Sequence, residues 1–157
     1  MMYLLLKSLQ TAFEEELKTL PMRTRPRSAG RGTACICAPV FIGALPPKTT
    51  ADAYIAPAVV LQPMEGHGDE QGMDYAVVTV RLIVWNDESP EAGENDLSNM
   101  MAALRRRFKT YRTAALAQRF IATADESGRW APWRRPDEQV SQFFEAYFLT
   151  HWTMAGF

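Results

Sequence analysis

The sequence predicts an α+β fold: a mostly antiparallel sheet flanked by two main helices, in a single domain over residues 1–157. Two patterns carry this prediction. In two segments apolar residues recur at steps of three and four, which is typical of amphipathic helices, and Tyr75–Trp85 alternates apolar with polar residues, as a half-buried strand does. A chain of 157 residues has the length of one domain, and at about 150 residues roughly 68–70% of the unfolded surface is buried.

The first helix is predicted over residues 2–19. Its apolar stripe consists of Leu6, Leu9, Phe13, Leu17 and Leu20. Pro21 ends it, because proline cannot continue the hydrogen-bonded ladder. Residues 22–32 then combine glycine and proline with four arginines, a composition that favours an exposed basic loop.

Three strands are predicted next, at Ala34–Val40, Ala58–Gln62 and Tyr75–Trp85. The last has apolar residues at every even position from Ala76 to Val84 and is expected to pair with Ala58–Gln62. The run between Met64 and Met73 is glycine-rich and acidic, so we expect a flexible turn there.

The second helix is predicted to be capped by Asn95 or Asp96 and to run to Phe108. Its apolar face is Leu97, Met100, Met101, Leu104 and Phe108. Cations in the last turn of a helix are stabilised by its dipole, so the basic residues 105–109 have an adequate structural explanation without a ligand.

In the C-terminal third, Ala114–Ala124 is compatible with a short helix or a strand, and we favour a short helix that runs into a strand at Phe120–Thr123. Strands follow at Arg129–Arg135 and Val140–Thr153. Aromatic and apolar residues crowd both faces of the last one, which indicates a central strand or one covered on both sides.

The charge of the chain is nearly balanced but unevenly distributed. The net charge of −1 excludes a uniformly basic nucleic-acid binder. By segment, residues 1–64 carry seven cations and four anions, residues 65–99 one and nine, and residues 100–157 nine and five. This uneven charge distribution indicates candidate contact surfaces for partners. The simpler explanation is that solvated loops and helix ends carry charge in any protein.

The sequence disfavours a membrane-spanning or secreted protein. The longest apolar run, Met1–Leu6, is far shorter than the ~20 residues of a spanning helix, and no small-residue cleavage site follows it. Cys35 and Cys37 are the only cysteines, and no disulfide is expected between them, which fits synthesis in a reducing cytoplasm.

No pattern of catalytic or metal-binding residues stands out. Cys35, Cys37, His67 and His151 lack the knuckle spacing of structural zinc sites, which favours small core cysteines. The glycine-rich run 65–72 lacks the Gly-Lys-Ser/Thr ending of a phosphate loop. No nucleophile signature such as Gly-x-Ser-x-Gly occurs. We therefore expect no cofactor, no metal and no enzymatic activity.

The order of elements, together with a few phrases, carries a family resemblance. The phrases are Val40-Phe-Ile-Gly-Ala-Leu-Pro-Pro47, Ala58-Val-Val-Leu-Gln62, Val77-Val-Thr-Val-Arg-Leu-Ile-Val-Trp85 and the Trp-Asn-Asp that ends at residue 87. From Met2 to Trp152 the chain resembles the tail terminator (tail completion) proteins of long-tailed bacteriophages and related prophage particles.

The resemblance implies a structural role in the virion. Proteins of that family are α+β domains with a mostly antiparallel sheet flanked by helices. They form a ring, a hexamer, on the end of the tail tube, stop tube polymerisation and present the surface that joins the tail to the head connector. The implied partners are further copies of the chain, the tail tube protein and the head-tail connector protein. The implied location is the tail or neck of the virion, assembled in the host cytoplasm.

A ring needs two different complementary patches on one subunit. The sequence offers an acidic set and a basic set for this contact, so we hypothesise a subunit interface between them. The acidic set is Asp87, Glu88, Glu91 and Glu94, and the basic set is Arg105, Arg106, Arg107, Arg134 and Arg135.

The basic loop has its own candidate role. Its arginines are Arg23, Arg25, Arg27 and Arg31, which can contact phosphates of DNA in the tube lumen without sequence preference, face a neighbouring subunit, or remain solvated. Two alternative functions stay open: a neck or head-completion connector protein, and a small DNA-binding accessory protein that uses this loop.

Overall fold

The structure, a computed structural model, describes residues 2–24, 34–45 and 56–155. Within these ranges the chain forms one α+β domain with two helices and eight strands. The elements are α1 (Met2–Leu17), β1 (Met22–Arg23), β2 (Cys35–Ile36), β3 (Val40–Ile42), β4 (Ala58–Gly68), β5 (Met73–Trp85), α2 (Pro90–Thr110), β6 (Ile121–Thr123), β7 (Trp133–Arg134) and β8 (Phe143–Ala155).

The main sheet has the strand order β3-β4-β5-β8-β6, and β7 pairs with β8 as well. Every pairing in it is antiparallel except β3 with β4, which is parallel. The strands β1 and β2 form a separate two-stranded ribbon. The predicted mostly antiparallel sheet is therefore confirmed, and β8 lies inside it, as its two apolar faces indicate.

The predicted pairing of Ala58–Gln62 with Tyr75–Trp85 is also confirmed, with Ala58 opposite Ile83. The flexible acidic turn between them is wrong in extent. Both strands continue far beyond the apolar run, until Gly68 lies opposite Asp74, so only residues 69–72 turn. Backbone pairing with β5 organises this polar stretch, although its side chains are exposed.

Both helices pack on one face of the sheet. Alternate residues of β5 point to that face, and Val78, Val80 and Leu82 are fully buried there. They share one hydrophobic cluster with Phe13 of α1 and Phe108 of α2. At roughly 25 cal/mol per Å² of apolar surface, this helix-covered face holds most of the burial that stabilises the domain.

The N-cap of the second helix lies six residues before Asn95 and seven before Asp96, the two caps predicted from the sequence. Ser89 is the N-cap, and its hydroxyl oxygen accepts a hydrogen bond from the Ala92 N–H at 3.0 Å. Pro90 follows in the first turn, where the missing N–H would have no helical partner anyway. Pro90 therefore lies at the start of the helix, a position in which proline is tolerated.

Three further strand and helix predictions are corrected. In Ala114–Ala124 the strand predicted at Phe120–Thr123 is confirmed as β6, but the residues before it form turns and not a helix. Regular pairing within Arg129–Arg135 is confined to β7, which two prolines flank. In Ala34–Val40 the strand stops at Ile36, and β3 begins only at Val40, after a proline that has no N–H to donate.

The predicted basic loop begins as regular structure. Met22 is 4% exposed, and with Arg23 it forms β1, paired with Cys35 and Ile36. Apolar burial of Met22 explains why the chain stays ordered past Pro21. The loop's other arginines, Arg25, Arg27 and Arg31, lie outside the described residues.

Candidate functional site

The first two residues of the predicted acidic set pair with an arginine of the same chain. Asp87 and Glu88 lie in the loop between β5 and α2. Arg23 contacts the Asp87 carboxylate at 3.4 Å and the Glu88 carboxylate at 3.0 Å. These partly exposed pairs hold β1 against the loop, with stabilisation of about 0–1 kcal/mol each. Arg23, predicted as a contact for DNA or a partner, thus has a structural role.

Glu94 and Arg135 come from the two predicted sets and meet within one subunit. Glu94 lies on α2, and Arg135 directly follows β7. The Arg135 guanidinium donates to both Glu94 carboxylate oxygens, at 2.7 and 3.0 Å, and to the backbone carbonyl of Glu145 at 2.8 Å. Such a bidentate pair has a fixed geometry, and here it fastens α2 to the sheet.

The three consecutive arginines near the end of α2 also bind their own chain. Arg105 donates to the backbone carbonyls of Trp130 and Ala131, at 3.3 and 3.1 Å. Arg106 and Arg107 reach across to carboxylates of α1, with distances of 3.3 to 3.7 Å to Glu15 and Glu16. They therefore join the two helices to each other and to the 130–131 segment.

Arg107 is the most tightly held of these. Its Nε donates to the Tyr111 hydroxyl at 2.9 Å. That hydrogen bond, with the nearby carboxylates of Glu15 and Glu16, raises the pKa of Arg107 although partial burial acts against the charge. The guanidinium also lies 5.9 Å from the centre of the Tyr111 ring, a cation–π distance.

Glu91 and Arg134 differ from the other residues of the predicted acidic and basic sets. Neither side chain forms a hydrogen bond or ion pair with any other residue in the described ranges. Both are exposed. Glu91 lies in the first turn of α2, where the helix dipole favours an anion. Arg134 lies on β7 opposite Tyr147, on the sheet face away from the helices.

That second face of the sheet is mixed, with a small apolar cluster that includes Ile83 and Trp85 at one end and a groove with polar and charged lining in its middle. It carries the odd-numbered residues of β5 and β8, and neither helix covers it. Its middle forms a groove of about 390 Å³, which we call the arginine groove. The groove is lined by Gln62, Met64, Thr79, Arg81, Arg129, Pro132, Arg134, Tyr147 and Leu149. Three of these nine residues are arginines and none is acidic, so the groove favours an anionic occupant.

Two of the groove arginines are positioned by carboxylates outside the lining. Arg81 contacts Glu145 at 2.7 Å, and Arg129 contacts Asp125 at 2.8 Å. Burial by itself raises the pKa of Asp125, but hydrogen bonds from the backbone and guanidinium of Arg129 outweigh it and keep that pKa below 3.8. The guanidinium groups are therefore held in place while Arg134 remains available.

The turn that joins β4 to β5 forms an acidic projection, which we call the acidic hairpin tip, residues 65–74. Its carboxylates are Glu65, Asp69, Glu70 and Asp74, and the sequence has no Lys or Arg from residue 63 to residue 80. Asp69 closes the turn: its Oδ1 accepts from the N–H groups of Gln71 and Met73, at 2.9 and 2.8 Å. The tip is therefore both charged and ordered.

Electrostatics of the turn keep Asp69 ionised. The backbone hydrogen bond from Met73 is the main reason that its pKa lies below the usual 3.8, and the bonds from Gln71 and Tyr75 add to it. In return, the hydrogen bond that the Tyr75 hydroxyl donates to Asp69 at 3.2 Å raises the pKa of Tyr75. The His67 and Tyr75 rings stack with centroids 4.9 Å apart, which stiffens the paired strands below the turn.

Residue-level reasoning missed both new surfaces. Arg81 and Arg129 fall in different predicted strands. The pairing of β5 and of β7 with β8 brings Arg81 and Arg134 onto one face, where Arg129 joins them from the segment between β6 and β7. For the hairpin tip a signal existed: Asp69 followed by Gly72, the latter with φ of +80°, is a turn composition. The flexible turn predicted from the same residues is wrong in extent, because strand pairing continues to Gly68 and Asp74.

The described residues show no group of three or more His, Cys, Asp or Glu arranged to hold a metal ion. Cys35 and Cys37 are exposed free thiols, not core residues as predicted. Neither of the two described helices has the length and apolar character needed to cross a bilayer. No protein-family model matches the chain, and no curated protein matches its sequence.

Proposed function

We propose that this protein is a structural component of a phage particle, in the tail or neck of the virion, which caps the tail tube as a ring. In this role a hexamer ends tube polymerisation and forms the surface that joins the tail to the head connector, without catalysing a reaction. The α+β fold supports the proposal, because it is the fold class that the family resemblance implies.

The observation that carries the proposal is the separation of opposite charge onto two different surfaces of one subunit. The arginine groove lies in the middle of the open sheet face, and the acidic hairpin tip lies at the end of the β4–β5 arm. Two unlike, complementary patches produce head-to-tail association, and a head-to-tail contact with a suitable rotation closes into a ring.

These contacts within the subunit reduce the number of charged residues that the predicted subunit interface can use. Most of its charged residues already have partners within the subunit, which leaves Glu91 and Arg134 available to a neighbour. Reversing Glu94 would break its pair with Arg135, so such a variant tests the subunit itself as much as the ring. The tail tube protein and the connector would bind the two rims of the ring, and DNA would pass through its lumen.

A reconstitution with tail tube protein tests this function. The purified protein, viewed by negative-stain electron microscopy, should form rings, and adding it to polymerising tube protein should shorten the tubes and leave a ring at one end. Tubes of unchanged length with bare ends would refute the proposal. Binding to emptied heads but not to tubes would also refute it and identify a head-side neck protein.

A further inference from the structure

The open face of the sheet and the end of its longest hairpin carry opposite charge in one molecule. We propose that the acidic hairpin tip of one copy docks into the arginine groove of the next copy. The inference deepens the proposed function, since it names the contact that would close the ring, and it requires only that the chain associates with itself.

The groove has the chemistry to receive carboxylates. Guanidinium groups bind carboxylates with paired N–H donors, and three of them lie along one groove. Glu145 and Asp125 hold Arg81 and Arg129 in place and offset part of their charge. Arg134 is exposed and makes no ion pair within the described ranges, so it is the cation that gains most from an incoming anion.

The hairpin tip has the matching chemistry and a defined shape. Glu65 and Glu70 are exposed, and Glu70 makes no hydrogen bond or ion pair with another described residue. Asp69 fixes the turn through two backbone N–H groups, and β4 and β5 stay paired up to Gly68 and Asp74. Little conformational entropy is lost when a segment that is already ordered binds, and this favours docking.

The turn of the hairpin lies far from Arg134 of its own subunit, although Glu65 and Asp69 at the tip share a cavity with Arg129 and Leu149 of the groove. Met73 begins β5, and Arg81 on the same strand lies opposite Tyr147, which in turn lies opposite Arg134. Met73 and Arg81 are eight residues apart, or about 26 Å at 3.3 Å per residue. Pairing with β4 on one side and with β8 on the other keeps that strand straight over the interval. Glu70 in the turn and Arg134 in the groove are therefore complementary but separated within one subunit, so we expect these two residues to meet between copies.

A charge-reversal cycle tests the contact. Glu70→Lys changes the tip and leaves Asp69 in place, and Arg134→Glu changes the groove. Sedimentation velocity over a concentration series should show self-association weakened roughly tenfold or more by each reversal, and largely restored in the double variant, because the two charges are exchanged. Matched controls are Glu138→Lys and Arg112→Glu, both exposed and outside the two surfaces, and these should associate as the unmodified chain does.

Other results would overturn the inference. These are a chain that stays monomeric, single reversals without effect, controls that weaken association equally, or a double variant no better than its parents. Circular dichroism of each variant establishes that it is folded. The tube reconstitution separates this inference from the proposed function: unaltered capping by Arg134→Glu would refute the contact and leave the function standing. A charge-sensitive association without capping would do the reverse.

Discussion

The two faces of the central sheet are built from the same strands, and in the middle of the sheet their properties differ: one is covered by the helices and the other carries the arginine groove. On the helix-covered face Val80 and Phe148 lie opposite each other and are fully buried. One residue further along, Arg81 and Tyr147 lie opposite each other on the open face and are half-exposed. Because successive side chains of a strand point to opposite sides, a single strand supports stability with one set of residues and recognition with the other.

The largest expected effect is on the covered face. Phe148→Ala should lower the free energy of unfolding by about 3–5 kcal/mol, since it removes a fully buried ring and leaves a cavity. Leu149→Ala, its neighbour on the open face, should cost roughly 1–2 kcal/mol because that side chain is only half-buried. Urea unfolding of the two variants measures the difference. Equal losses would mean that the open face is as much a core as the covered one.

Where α2 packs on the sheet, a glycine-to-alanine substitution is expected to lower stability, which is opposite to its usual effect in a helix. Alanine normally stabilises a helix relative to glycine by up to about 1 kcal/mol. At Gly93 a Cβ would overlap the ring of Phe144 on β8, so Gly93→Ala should destabilise by about 1–3 kcal/mol through overpacking. Thermal unfolding measures the sign. Combining it with Phe144→Leu should recover part of the loss, and a stabilised Gly93→Ala would contradict the close packing.

Thr150 on the covered face and Thr79 on the open face allow the contributions of two threonine hydroxyls to stability to be compared. The Thr150 hydroxyl donates to the Val78 carbonyl at 2.8 Å and accepts from Trp152 Nε1 at 2.9 Å. Thr150→Val should therefore cost about 1–2 kcal/mol, because it leaves the indole N–H buried without a partner. Thr79→Val, with no such bonds, should change stability by less than about 0.5 kcal/mol. The urea-unfolding midpoints of the two variants measure this difference, and equal midpoints would contradict the role of the Thr150 hydroxyl.

The smallest effect concerns pH at the hairpin tip. The pKa of Asp69 is lower in the fold than its ordinary 3.8, so its contribution to stability is complete above 3.8 and is lost as the pH falls through the lowered value. The chemical shift of the Met73 amide, which donates to Asp69, should titrate with a midpoint below 3.8 by nuclear magnetic resonance. Asp69→Asn should abolish this titration. A midpoint at or above 3.8 would contradict the closed turn.

Local patterns predicted the elements whose burial repeats along the chain. The stripe of α1 and the alternation of β5 were read correctly, because both follow the period of the backbone. Polar and proline-containing stretches were read less well. The cap at Ser89, the strand pairing of residues 65–68 and the short β7 depend on hydrogen bonds that no apolar pattern reveals.

Predictions about charged residues failed differently. The sequence indicated that acidic and basic sets attract each other, and Glu94 with Arg135 shows that they do. It gave no indication that the pair lies within one subunit, since 41 residues separate the two positions. Pairing of Arg23 with Asp87 across 64 residues depends in the same way on the fold.

The sequence by itself determined the α+β class, the helix-covered face and the unequal distribution of charge, because each follows from composition or from a regular period. Only the tertiary structure decided which charges were already paired, that Cys35 and Cys37 are exposed, and that three arginines from separate segments line one groove. The physical reason is range. Hydrophobic periodicity acts between residues a few positions apart, whereas ion pairs and grooves depend on strand register and on contacts between distant parts of the chain.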